Sequence, residues 1–168
     1  MLQRMLISFL IPVLCWNSSY AQEAAAADVV ALRKLYYASY KDKTAAEALK
    51  KCTEANKQPS AIWLGYRAAA HIMMCNHVAN PYTKLKYFYN GRNELERSIK
   101  ANAGDAELRY LRYAVQCNTP AVLNYKDNIK VDKAILDKYL QHVANKEKDP
   151  DLYQRISDYM KRHPITEQ

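Results

Sequence analysis

The chain has 168 residues, 49% apolar and 25% charged, and carries 25 Lys and Arg against 17 Asp and Glu, a net charge of +8. This is globular composition and excludes disordered, collagen-like and disulfide-dense classes. Three glycines in the whole chain argue against strands joined by tight turns and for helices.

Residues 1–21 read as a secretory signal peptide. Met1–Arg4 carries one positive charge, Met5–Trp16 is apolar apart from Ser8, and Ser19-Tyr20-Ala21 offers small residues for a cut after Ala21. The apolar run is too short to cross the ~30 Å of a bilayer's hydrocarbon, and no later run is long enough to be a transmembrane segment. Leu14 before Cys15 is larger than a lipoprotein site takes. The expected product is an exported, periplasmic or secreted chain of 22–168, one all-helical domain. Without Arg4 its 24 basic and 17 acidic residues leave a charge of +7. Acidic residues lie among most of the basic ones, so the pattern speaks against nucleic acid and leaves weak attraction to anionic envelope polymers.

In Gln22–Tyr40, Val29, Leu32, Leu35, Tyr36 and Tyr40 recur at helical spacing. Thr44-Ala45-Ala46-Glu47 reads as a capping box, opening a short helix that turns Ala45, Leu49 and Cys52 inward and ends near Asn56. Ser60 reads as the N-cap of a third helix to about Ala79, apolar nearly all round and therefore central. Asn80-Pro81 stops it. A fourth helix runs from about Thr83 to Ala101, with Gly91 weakening it by ~1 kcal/mol. Asp105 caps a fifth, Ala106–Asn118, that buries Leu108, Leu111 and Val115. Pro120–Tyr125 reads as one short turn and about Asn128–Asn145 as a sixth helix. Asp149-Pro150-Asp151 supplies cap, first-turn proline and an acid against the dipole of a last helix ending near His163-Pro164. The connections are short, so the expected architecture is all-α, with six or seven antiparallel helices stacked as hairpins.

Trp63, Leu64-Gly65, Tyr66 and the alanines at 68–70 resemble the first helix of a tetratricopeptide repeat, and Leu95–Asn102 its second, with Asp105–Arg112 opening the next. The resemblance covers roughly Ser60–Arg112 and implies a helical-hairpin stack with a concave surface for an extended partner. Glu107–Tyr125 is also similar to small exported helical proteins of bacteria that carry no assigned activity.

Few residue constellations bear on chemistry. His71 and Cys75 share a helix face, but His77 lies about 200° further round than Cys75, and two ligands are too few for structural zinc. That pattern reads as packing, with no metal and no cofactor. Arg109, Arg112 and Gln116 form a polar stripe at i, i+3, i+7 that could fork onto a carboxylate or phosphate, or could be spent on ion pairs to Glu107, Asp127 or Asp132. Tyrosine is abundant, 14 in the chain, including Tyr36, Tyr37 and Tyr40. Tyrosine suits a binding groove as well as helix packing. Cys52, Cys75 and Cys117 remain after the signal. In stacked hairpins Cys75 and Cys117 stand at similar heights, so one disulfide would join that pair. No catalytic motif is present. The expected function is a non-enzymatic binding or scaffold module that holds a peptide or partner protein through Arg109, Arg112, Gln116, Tyr36 and Tyr40. The rival is an enzyme that binds an anionic substrate through Glu107, Arg109 and Arg112.

Overall fold

The computed structural model describes residues 29–165, all-helical, with no strand among them. The expected signal segment with Cys15, the cut after Ala21 and the start of the first helix lie outside the described residues. Helix α1 covers residues 29–39. It is followed by α2 (Lys43–Ala55), α3 (Ala61–Met74), α4 (Pro81–Ala101), α5 (Ala106–Asn118), a 3-10 turn at Ala121–Leu123, α6 (Ile129–Gln141), α7 (Val143–Lys148) and α8 (Pro150–Arg162).

Several helix ends differ from the sequence reading, each for a local reason. The cap of α2 is Asp42, whose carboxylate accepts from Thr44 N at 2.8 Å, so Thr44 lies inside the helix rather than at its start. In α2 the inward residues are Ala45, Ala46, Leu49 and Thr53, whereas Cys52 is exposed. Ser60 holds the N-cap position of α3 without a side-chain bond. That helix ends at Met74, because tightened i+3 bonds at Cys75, Asn76 and His77 turn the chain before Asn80 is reached. Asn80 instead caps α4, accepting from Tyr82 N and Thr83 N, with Pro81 as first helical residue. The expected sixth helix breaks at His142 (ψ 106°) into α6 and α7, where Asn145 Nδ2 donates to the Tyr139 carbonyl. Asp105 and Asp149 cap α5 and α8 as read.

Two apolar clusters hold the helices together. The larger joins Leu32, Tyr36, Leu49, Tyr66, Ala68–Ala70, Phe88, Leu95, Leu108 and Leu111 from α1 to α5. The smaller joins Tyr110, Tyr113, Leu136, Leu152 and Ile156 from α5, α6 and α8. Helix α3 lies at the middle of the first, packed on α2, α4 and α5. The most buried helix, however, is α5, with nine of its thirteen residues inside. It is the wall shared by both clusters. Its sequence hides this, because Glu107, Arg112 and Gln116 are among the buried residues.

Helices α3 and α4 pack most closely at Gly91. A Cβ there would lie 2.6 Å from the Ala68 carbonyl oxygen and 2.6 Å from Ile72 Cγ1. Gly91 therefore allows close approach of the two helices.

A polar junction ties α1 to the far end of the chain. Arg33, 3% exposed, donates from Nε and Nη2 to Glu107 at 2.5 and 2.8 Å. It also donates to both Asp149 oxygens at 3.0 and 2.7 Å and to Asp151 at 3.4 Å. Tyr66 of α3 donates its hydroxyl to Glu107 Oε1. Burial alone would lower the Arg33 pKa, but the bonds to Glu107 and Asp149 outweigh it and hold the guanidinium charged.

Two stability measurements check these contacts. Gly91→Ala should destabilise the protein by about 1–3 kcal/mol in urea unfolding, because overpacking outweighs the ~1 kcal/mol gain in helix propensity. Gly104→Ala, whose Cβ meets nothing within 4 Å, should be neutral or stabilising. A gain for Gly91→Ala would show that the two helices do not approach as described. Arg33→Met should cost about 3–5 kcal/mol by stranding Glu107. A double-mutant cycle with Glu107→Gln should return a coupling of ~0.5–3 kcal/mol, and additivity would refute the pairing.

Candidate functional site

The arginine stripe of α5 is placed inside the fold. Arg112 donates to both Asp132 oxygens at 2.7 and 2.8 Å and to Glu96 at 2.6 Å. Arg109 donates to Asp132 at 3.1 Å and, through Nε and Nη2, to the Ala103 carbonyl. Asp132 is fully buried between the two guanidiniums. Burial would lower the Arg112 pKa, and the Asp132 and Glu96 carboxylates more than reverse this. Tyr125 closes the cluster by donating to Glu96, with the Arg92 guanidinium 4.8 Å above its ring. Glu107 is committed to Arg33 and Tyr66. The three residues required by an anion-binding enzyme are thus spent on neighbours, with Asp132 as the expected partner of the arginines and Arg33 as the unexpected partner of Glu107. Gln116 is fully buried, and neither amide atom has a hydrogen-bond partner among the described residues.

The tyrosines of α1 are placed differently. Tyr36 and Tyr40 line a groove of about 750 Å³ between α1, the α3–α4 connection, α5 and α8. This is the size of a typical small-ligand or short-segment site. Its wall is an aromatic lattice. Tyr36 and Tyr37 meet edge to face at 5.3 Å, Tyr110 and Tyr159 likewise at 5.6 Å, and His163 stacks on Tyr159 at 4.1 Å. Tyr37 donates its hydroxyl to Tyr110 Oη at 2.9 Å, and the Arg155 guanidinium lies 3.9 Å above the Tyr37 ring. Asn118 Nδ2 donates to Tyr159 Oη at 2.7 Å. These contacts lock the rings before anything enters. Sequence reasoning did not place Tyr37, Tyr110, Tyr159 and His163 in one site, because they come from three helices and the end of the chain.

Among the described residues no carboxylate lines the groove. Its ionisable side chains are the tyrosines, Cys75, Lys84, Arg162 and His163. Cys75 donates its thiol to the Lys84 carbonyl at 3.3 Å, and burial pushes its pKa up to about 11, so it is a poor nucleophile near neutrality. It packs against the larger cluster and Cys117 against the smaller, and Cys52, Cys75 and Cys117 are all free thiols here. His71 lies outside the groove, 3.2 Å from Glu54 and 3.6 Å from Glu94, and ties α3 to α2 and α4. His77 meets the Ser39 carbonyl at 2.7 Å. Among the described residues no group of three His, Cys, Asp or Glu could hold a metal ion. A second depression, of about 570 Å³, is lined by Glu47, Lys50, Lys51 and Glu54, where Lys50 and Glu54 pair with each other at 2.9 Å.

Burial raises the phenol pKa values of Tyr36, Tyr37, Tyr110 and Tyr159 above the ordinary value near 10. A raised folded-state value favours the neutral phenol, so this contribution to stability is full below the unfolded pKa and is lost as pH rises above ~10. In an alkaline titration the phenolate absorbance of these residues should appear in one cooperative step together with loss of helical circular dichroism. Early, gradual ionisation of every tyrosine with the helix intact would refute the buried wall.

Comparison with known protein families, characterised proteins and solved structures returns no match for this chain.

Proposed function

We propose that this protein is an exported, non-enzymatic binding module of the bacterial periplasm, which holds an extended peptide or a segment of a partner protein in the tyrosine-lined groove. One observation carries the reading: a preorganised aromatic groove of about 750 Å³ stands open while the polar stripe of α5 is consumed within the fold. Rigid aromatic walls give contact area at little entropic cost, and the groove draws on several helices, as a hairpin stack would present it to an extended chain. The site residues in this reading are Tyr36 and Tyr40, joined by Tyr37, Tyr110 and Tyr159. Arg109 and Arg112 hold the groove's back wall, α5, in place. Export through residues 1–21 and release at Gln22 put the module in the envelope.

Site-specific photocrosslinking in cells tests the proposal. A benzoylphenylalanine at Tyr40, 56% exposed at the groove's edge, should give defined adducts in the periplasmic fraction, carried by a chain that begins at Gln22. The same probe at Val143, 70% exposed but outside the groove, should give none. Equal labelling from both positions, or none from Tyr40, would discard the groove as the binding site.

A further inference from the structure

The groove does not stop at its own edge. On α4, Tyr82, Leu85 and Tyr89 follow one another at i, i+3 and i+7 and so share a helix face. They are exposed by 79%, 41% and 45%, although each is a large apolar or aromatic side chain. Leu85 belongs both to this stripe and to the groove lining. The apolar surface therefore runs out of the groove along the outer face of α4, further than a small enclosed ligand would need.

Among the described residues, the Lys, Arg and His side chains that line the groove face no acidic one. Among these residues its lining carries Lys84, Arg162 and His163 and no acid. The first half of α4 adds Lys86 and Arg92 and has no Asp or Glu before Glu94. No carboxylate among the described residues lies within ion-pair distance of Lys84, Lys86 or Arg162. Elsewhere the fold pairs its cations closely, as at Arg33, Arg67, Arg109, Arg112 and Arg155. Inside the groove Tyr36 is 6% exposed, and its hydroxyl has no hydrogen-bond partner among the described residues.

We infer that the partner is an acidic peptide segment, whose apolar or aromatic side chains enter the groove and follow the Tyr82–Leu85–Tyr89 stripe while its carboxylates face Lys84, Lys86 and Arg162. The inference rests on the groove being the binding site. Charge complementarity selects the peptide: unpaired cations at the rim of an apolar surface speed encounter with an anion and disfavour a basic chain. The Tyr36 hydroxyl gives one directed bond to a carbonyl or carboxylate oxygen of the segment.

Selection from a random dodecapeptide display library on the immobilised, folded chain tests this. Enriched peptides should combine aromatic or apolar residues with a net negative charge, and their binding should weaken as salt rises. The double variant Lys84→Glu/Arg162→Gln should lower affinity for a selected acidic peptide about tenfold and remove the acidic bias of a repeated selection. Both positions are exposed, and an acid near the start of α4 is favoured by the helix dipole, so the variant should keep its fold. Enrichment without acidic bias, or unaltered by the double variant, overturns the inference and leaves the groove standing. No enrichment at all overturns both. Sedimentation with phosphatidylglycerol vesicles that depends on Lys84, with no peptide enrichment, would assign the face to a membrane surface and also overturn it.

Discussion

Arg33 and Glu107 meet where water hardly reaches, and four helices depend on their meeting. Arg33 comes from α1, Glu107 from the first turn of α5, Tyr66 from α3, and Asp149 from the cap of α8. Each charge needs the other there, since an uncompensated buried charge costs several kcal/mol. Glu107 accepts from Arg33 and from Tyr66, while Asp149 and Asp151 take the remaining guanidinium donors and Asp149 caps α8 with the same carboxylate. Apolar clusters can slide by a side chain's width. A bidentate guanidinium cannot, so this junction fixes the register of α1 and α8 against α5.

That register makes the groove. Its walls are α1 on one side and α8 on the other, with α5 behind. Tyr37 and Tyr110, from α1 and α5, bond to each other one turn from Arg33 and Glu107, and Arg155, one turn along α8 from Asp151, lies over the Tyr37 ring while bonding Asp151. The second junction, at Asp132, holds the opposite face of α5 to α6 and α4. The chain thus spends its buried charges on position and sets its aromatic rings, largely buried, along the groove. Arg109 and Arg112 each give three hydrogen bonds within the fold, and their side chains are only 12% and 4% exposed. This is the physical ground for proposing that ligand binding falls to the tyrosines.

The helical class was legible because its signals are local. Apolar spacing in α5, the Asp105 and Asp149 caps and the proline at the start of α8 all act within one or two turns. Helix ends were less legible where two cap signals compete, as Asp42 and Thr44 do, or where one feature serves either neighbour, as Asn80-Pro81 ends nothing and starts α4. Arg33 was missed although the pattern held a sign of it: it sits three residues before Tyr36 and one after Leu32, on the inward face of α1. Nothing local says that its partner lies 74 residues away. Tyr36 and Tyr40 could be singled out as a cluster on one helix. The rest of the groove could not, because Tyr110, Tyr159 and His163 become neighbours only through the tertiary fold.

The junction at Arg33 also sets an order of events during synthesis. A chain made from its N-terminus presents α1 first, while Glu107 follows 74 residues later and Asp149 only after 116. At ribosomal speeds the second interval is on the order of ten seconds. Until Glu107 has been made the Arg33 guanidinium has no buried carboxylate to meet, and until Asp149 follows its shell stays incomplete. Helix α1 is therefore fully secured only after helices made later, and the junction stays incomplete until the cap of α8 has been delivered. A product cut short before α8 would keep the larger apolar cluster yet lack the carboxylates that complete the guanidinium's shell, leaving one edge of the protein unlatched and visible to proteases.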